Sequence, residues 1–285
     1  MSRCYRSYAD MAALIAGNID SFAKYSFDLV VGVPRSGMIP AYMIALFFNI
    51  NCCSFPEFRN NYAIEKCGSR TIISAIKYPQ DAQRILVVED SFGKGERLAA
   101  MMASLPDAVR ARCIVSAIYT AQPKNNILDF SLEHIPKPRF FEWNIYHHIL
   151  VKESAFDIDG VLCADPTEEE NDDGEKYIEF LLNARPKFIP TLTIHTLVTS
   201  RLEKYRPQTV AWLQREGVLY KNLVMLDLPS KEARKNNNAY ATHKAEMYRN
   251  DELKVFFESN DKQAQEIFTL TGKPVFSVNA NKYYC

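Results

Sequence analysis

An α/β chain of two domains, each a parallel sheet flanked by helices, is what three features of the sequence predict. Strand-like apolar runs alternate with helix-like segments from about residue 27 to 120 and again from about 154 to 259. The strand-like runs are mainly apolar, as strands covered on both faces are. At 285 residues the chain is long enough to build two cores.

Each element follows from local pattern. FDLVVGV (27–33) reads as a buried strand and MIPAYMIALFF (38–48) as the helix after it. TIISAI (71–76) and RILVVED (84–90) read as strands, ERLAAMMASL (96–105) as a helix and RCIVSAIYT (112–120) as a strand. HIPKPRFFEWN (134–144) carries two prolines and no helical period. A boundary is therefore expected near 150, with domains 1–150 and 151–285 and a linker over 136–150. Beyond it, SAFDIDG (154–160) is a strand, YIEFLLNA (177–184) a helix and LTIHTLVTSR (192–201) a strand ending in hydroxyls. PQTVAWLQREG (207–217) is a helix stopped by glycine, and KNLVML (221–226) and LKVFFES (253–259) are strands.

Composition narrows the class. Hydrophobic residues make up 47% and charged residues 24%, ordinary for a globular chain. With 34 basic and 34 acidic residues the net charge is zero, which argues against a protein built mainly to bind nucleic acid. The seven cysteines, Cys4, Cys52, Cys53, Cys67, Cys113, Cys163 and Cys285, include no C-x-x-C pair. They read as reduced thiols of a cytoplasmic protein and argue against a zinc site. The N-terminus lacks a signal-peptide core. The most apolar stretch, AYMIALFFNI at 41–50, is about ten residues, against the ~20 that span a bilayer.

In open α/β sheets, ligands bind at the carboxyl ends of strands, and the chemistry-bearing motifs all sit there. FDIDG places Asp157 and Asp159 two residues apart, on one side of an extended chain. Such a pair can hold Mg²⁺, attack a phosphoryl group and handle a proton. By itself the pattern also describes a surface turn. LVTSR adds Thr199 and Ser200 as donors for a phosphoryl oxygen, and THKAEMY adds Lys244 as a point charge. VFFESNDKQA adds Glu258, Asn260 and Asp261 to complete a metal shell. In this order the four motifs resemble the haloacid dehalogenase-like phosphatases, over roughly 151–285. The resemblance implies Asp157 as a nucleophile forming an aspartyl-phosphate and Asp159 as general acid/base. It also implies Thr199 and Lys244 as phosphate binders, and Glu258 as support for Mg²⁺. Many relatives carry an aspartate where Ser259 or Asn260 stands, so which of Glu258, Asn260 and Asp261 reaches the metal stays open. About forty residues separate FDIDG from LVTSR, room for a flap and a helix but not for a separate cap domain.

VVGVPRSG (30–37) also ends a strand, with Gly32 and Gly37 to admit an anion and Arg35 to charge it. In VVEDSFGKGERL (87–98) the acidic pair Glu89-Asp90 precedes a glycine loop that opens a helix. Carboxylates accept from adjacent sugar hydroxyls, and a helix start suits a terminal phosphate. Neither stretch is a nucleotide-triphosphate P-loop. Together they describe a site for phosphoribosyl pyrophosphate and resemble the type I phosphoribosyltransferases, over roughly 1–135. The resemblance implies that Glu89 and Asp90 hold the ribose hydroxyls and that Ser91, Phe92, Gly93, Lys94 and Gly95 cradle the 5-phosphate. It places Arg35, Ser36 and Gly37 on the pyrophosphate. Where the family has hydroxyl residues, Gly93, Lys94 and Arg97 stand, and Lys94 and Arg97 offer charge instead. The resemblance implies the family's mobile hood at 57–70, with Arg59, Lys66 and Arg70; the same polar stretch also reads as a plain surface loop. Trp143, His147 and His148 of FEWNIYHH (141–148) are expected to pack between the domains; a similar stretch occurs in bacterial chains that fuse these two domains.

The expected function is bifunctional. Ribose 5-phosphate passes from phosphoribosyl pyrophosphate to an acceptor, a glycan or lipid-linked saccharide hydroxyl, and the 5-phosphate is then removed. This resembles the ribofuranosyltransferase–phosphatase pairs of bacterial capsule and O-antigen synthesis. Two alternatives stand beside it: a nucleobase acceptor, giving nucleoside synthesis or salvage, and a ligand-sensing regulator with a degenerate transferase site. Mg²⁺ is the expected cofactor, and a homodimer is among the expected assemblies.

Overall fold

The computed structural model describes residues 4–65, 71–72, 76–122, 124–236, 239–249 and 252–285. The chain forms two compact units that meet in sequence at Trp143 and Asn144.

The first unit opens with β1 (Tyr5–Arg6), α1 (Tyr8–Gly17) and α2 (Ile19–Ala23). Ser7 and Asp10 close a capping box that starts α1. Then come β2 (Leu29–Gly32), α3 (Met38–Phe48), β3 (Asn51–Ser54) and α4 (Phe55–Asn60). They are followed by β4 (Ile85–Phe92), α5 (Glu96–Ala103), α6 (Asp107–Arg110), β5 (Cys113–Thr120), β6 (Phe130–His134) and β7 (Phe140–Phe141). The main sheet runs β3-β2-β4-β5-β6, with every pairing parallel. Its two faces are separate cores. Ile85 and Val87 of β4 face a cluster with Phe55, Phe58 and Leu98, while Leu86 and Val88 face Met11, Ile15, Ile44 and Tyr119. This alternation is the pleat, and the strand reads as one continuous apolar run because both faces are covered.

Of the expected strand TIISAI, 73–75 lie outside the described residues, and 71, 72 and 76 are not strand. An edge of the main sheet is β3, whose NCCS has no apolar run to announce it. The segment 136–150 contains β7, which pairs in parallel with β1, followed by two short 3-10 turns, rather than acting as a linker.

The second unit comprises β8 (Ser154–Phe156), α7 (Glu175–Asn183), β9 (Ile194–Leu202), α8 (Arg206–Arg215), β10 (Tyr220–Leu226) and α9 (Lys231–Asn236). It continues with α10 (Ala239–Tyr248), β11 (Val255–Glu258), α11 (Asp261–Thr271), β12 (Val275–Ser277) and β13 (Lys282–Tyr284). Its sheet runs β10-β9-β8-β11-β12-β13. All pairings are parallel except the edge strand β13, which returns antiparallel on β12. Gly217, at φ +69, follows α8 as the expected glycine stop. The predicted strand 154–160 ends at Phe156, and Gly160 adopts φ +73 in the turn beyond it. Among the described residues no helix is long and apolar enough to cross a membrane.

Because β7 completes the first unit, a fragment 1–143 should melt cooperatively, and a fragment 1–138 should melt at lower temperature with a broader transition. Circular dichroism melts of the two fragments check this; equal melting points would remove β7 from the fold of that unit.

Candidate functional site

In the first unit, β2 and β4 are neighbours and both end at the same edge, with Gly32 paired to Val88. The loop after β2 and the acidic end of β4 are therefore adjacent. Ser36 Oγ donates to Asp90 Oδ1 at 2.7 Å, and the Trp143 indole Nε1 donates to Oδ2 at 2.7 Å. Asp90 is buried, at 5% exposure. Both of its oxygens are thus occupied from within the protein. Adjacent strand residues point to opposite faces, so Glu89 lies on the other side of β4 from Asp90. Glu89 accepts no hydrogen bond from any described residue, and burial, with Asp90 adding and Arg97 opposing, pushes its carboxyl up to about 7.

The glycine loop is shorter than expected. Ser91 and Phe92 remain in β4, paired with Tyr119 and Thr120, so the loop proper is Gly93, Lys94 and Gly95. Phe92 is 2% exposed and packs in the core. Its carbonyl accepts from the buried Arg139 at 2.6 Å. Lys94 and Arg35 are exposed, and the Arg97 guanidinium donates to the Pro34 carbonyl at 2.5 Å, tying the two loops together. Gly37 has a structural reason of its own: a Cβ there would stand 2.5 Å from the Val33 carbonyl and 2.9 Å from that of Val88. Around Gly93 there is open space. Arg59 lies exposed on α4, while Lys66 and Arg70 lie outside the described residues. Trp143, expected between domains, belongs to this unit, stacked on Phe141 with Tyr8 at 5.4 Å. His147 bonds Thr191 and His148 caps a turn through Leu150, both within the second unit.

In the second unit, β9, β8 and β11 are neighbours, so Thr199, Asp157 and Glu258 come together at one edge. Lys244 of α10, 2% exposed, donates to Asp157 Oδ2 at 2.7 Å and to Glu258 Oε2 at 2.6 Å. Gln263 accepts a third bond from it at 3.2 Å. Burial raises the Asp157 carboxyl, Lys244 opposes and Glu258 adds. Burial lowers the Lys244 ammonium, but the two carboxylates outweigh it and the net direction is up. Asp159 takes a different partner: buried Arg201 grips it through Nε (3.0 Å to Oδ2) and Nη2 (2.6 Å to Oδ1). A cavity of about 260 Å³ is lined by Asp157, Asp159, Asp165, Thr199, Lys244 and Glu258, with Ser200 and Asn260 also on its wall.

The metal residues named from sequence divide. Glu258 is a counter-ion, accepting from Lys244 and from the Asn260 backbone N–H at 3.0 Å. The Asn260 side chain caps α11. Asp261 turns away to accept from the Tyr284 hydroxyl at 2.8 Å and does not line the cavity. Among the described residues no three His, Cys, Asp or Glu side chains cluster closely enough to hold a metal by themselves. The donor set is nonetheless all oxygen, and four carboxylates of the cavity, Asp157, Asp159, Asp165 and Glu258, stand against three cations, Lys244, Arg201 and Lys187. That excess of negative charge fits a hard cation at Asp157 with water filling most of its shell. Arg201, Asp165 and Gln263 were not named from sequence. Arg201 had a signal, since it follows Thr199-Ser200 directly; Asp165 had none.

No family model matches the chain, and no curated protein matches it. Some solved structures align with part of it. The purine phosphoribosyltransferase from Pyrococcus horikoshii Ot3 is 17% identical over 50% of this chain and 94% of that one, with a TM-score of 0.36. The Helicobacter pylori xanthine-guanine-hypoxanthine phosphoribosyltransferase is 19% identical over 50% and 91%, with a TM-score of 0.38. The adenine phosphoribosyltransferase of Giardia lamblia, complexed with 9-deazaadenine, is 15% identical over 44% and 80%, with a TM-score of 0.30. These similarities cover half the chain or less, and the reading of the two sites rests on their own geometry.

Gly37→Ala should cost about 1–3 kcal/mol, as overpacking does, while Gly93→Ala should stay within about 0.5 kcal/mol. Denaturant titration of both checks it; equal losses would show that the space at Gly37 is not what fixes the residue. Glu89 titrates higher in the folded protein than its ordinary 4.5. The folded state therefore holds more protons than the unfolded one between about 4.5 and 7, and stability falls as pH rises through that window. Glu89→Gln should lack this loss, so its melting temperature should gain on wild type between pH 5 and pH 8; parallel curves would refute the buried environment.

Proposed function

We propose that the chain is a phosphoribosyltransferase joined to a phosphatase, acting in sequence on one acceptor. The observation that carries the first half is the Ser36–Asp90 bond, which joins a loop with an exposed arginine to the acidic end of the neighbouring strand. Phosphoribosyl pyrophosphate has two anionic ends and a diol between them. Arg35 and the backbone of 36–37 face the pyrophosphate, Gly93–Gly95 and Lys94 face the 5-phosphate, and Glu89 is the carboxylate left free for the sugar. Asp90 then serves as a strut that fixes the pyrophosphate loop. As pyrophosphate leaves, positive charge grows at the sugar carbon, as it does in glycoside cleavage, and the acceptor hydroxyl attacks there.

The second half rests on Lys244 held between Asp157 and Glu258. Lys244 and Thr199 hold the phosphoryl oxygens, and Asp157 attacks phosphorus while the alcohol leaves with a proton. Water then cleaves the acyl phosphate and restores Asp157. When bound at Asp157 and with the pyrophosphate, Mg²⁺ supplies charge neutralisation in both sites. The acceptor is read as a saccharide hydroxyl. The segment between β8 and β9 holds a single helix, α7, and no separate cap domain, which leaves room for a phosphate carried on a large molecule.

Mass spectrometry of products from phosphoribosyl pyrophosphate, Mg²⁺ and saccharide or nucleobase acceptors tests this, with wild type and Asp157→Asn side by side. A pentose on a saccharide from wild type, and a pentose phosphate from the variant, are the expected masses. The same pair on a nucleobase would move the acceptor to that class. Pentose transfer with neither acceptor would leave a ligand-binding regulator.

A further inference from the structure

The cavity at Asp157 keeps Asp157, Lys244 and Glu258 deepest, each 5% exposed or less. Nearer solvent its wall carries, besides the exposed Asp165, two side-chain amides: Asn171, half-buried, and Asn279, exposed. Neither amide has a hydrogen-bond partner among the described residues. The other amides of the wall are committed. Asn260 caps α11, and the Gln263 oxygen accepts from Lys244 at 3.2 Å.

The two free amides sit on backbone that is held in place. Asn171 belongs to an acidic stretch between β8 and α7 that has no regular structure, yet it is bonded on both sides. Before it, Thr167 and Glu170 exchange hydrogen bonds at 2.8 and 3.2 Å, and the Asn171 N–H donates to the Thr167 carbonyl at 3.1 Å. The Asn171 carbonyl accepts from the Lys231 ammonium. After it, Asp172 Oδ1 accepts from the N–H groups of Gly174 and Tyr177, and Asp173 from the Tyr205 hydroxyl at 2.8 Å and from Lys204 at 3.0 Å. Asn279 lies in the turn between β12 and β13. That turn is tied to the end of β11, where the Val278 N–H donates to the Glu258 carbonyl at 2.8 Å. In both segments the main chain and the neighbouring side chains are spent on position, and the amide is what remains to meet a ligand.

An amide offers an acceptor and two donors and carries no charge. It complements hydroxyl groups, which give and take hydrogen bonds, and it does not compete with a phosphoryl group for Lys244. Amides on backbone already fixed also cost little ordering when a ligand arrives. We propose that Asn171 and Asn279 bind hydroxyl groups of the sugar that bears the phosphate, so that the phosphatase step selects a sugar phosphate over a phosphate whose organic group has no hydroxyls. This rests on the phosphatase reading above and names the residues that would choose its substrate.

The test compares kcat/KM for ribose 5-phosphate and for phenyl phosphate in wild type, Asn171→Ala, Asn279→Ala and the double variant. Both substrates offer the same phosphoryl group to Asp157; only the first has hydroxyls. Each single variant should lower the ribose 5-phosphate value by about 2–10-fold, the range for one neutral hydrogen bond, and the double variant by about the product of the two. The phenyl phosphate value should stay within about twofold of wild type, a split that a merely structural role would not produce. Melting temperatures should match wild type, since neither amide is bonded within the described protein. Equal losses on both substrates in the double variant, or no loss on ribose 5-phosphate, would overturn the inference while leaving the phosphatase standing. No phosphate release by wild type from either substrate, or full activity in Asp157→Asn, would overturn the phosphatase reading and the inference with it.

Discussion

A carboxylate taken out of water keeps its place only where donors face it, and each unit is arranged around one such group. In the first it is Asp90, held by the Ser36 hydroxyl and the Trp143 indole. In the second it is Asp157, held by Lys244, which Glu258 shares. Both are 5% exposed. The donors come from distant parts of the chain, so satisfying one carboxylate fixes several segments at once. Trp143 closes the first unit onto β4 from 53 positions away, and Lys244 ties α10 to the ends of β8 and β11 from 87 and 14 positions away.

That arrangement separates two jobs that a motif treats as one. A residue whose two oxygens are both taken by side-chain donors sets geometry; one that no side chain holds stays open. Asp90 and Asp159 are gripped, by a hydroxyl and an indole in one case and by a guanidinium in the other. Glu89 and Asp165 are free. In each unit the free acid lies close to the gripped one, and the like charge raises its carboxyl. The neighbour therefore shapes the free acid as well as the loops, and replacing either gripped residue would disturb both.

The fold was legible because the buried strands carry unbroken apolar runs and the helices between them carry caps and glycine stops. FDLVVGV and RILVVED needed nothing more. What stayed hidden was whatever lacks a local signal. β3 is four residues, NCCS, and owes its strand geometry to pairing with β2. β7 is two residues in a proline-bearing stretch, formed by pairing with β1. Residue types were legible in place: Ser36, Asp90, Asp157, Thr199 and Glu258 lie at or just beyond strand ends, while Lys244 comes from the helix α10. Their roles were not, because a role depends on partners far away in sequence. Nothing in VVEDSF says that Phe92 is core or that Asp90 answers to Trp143, and nothing in ESND says that Asp261 turns to Tyr284.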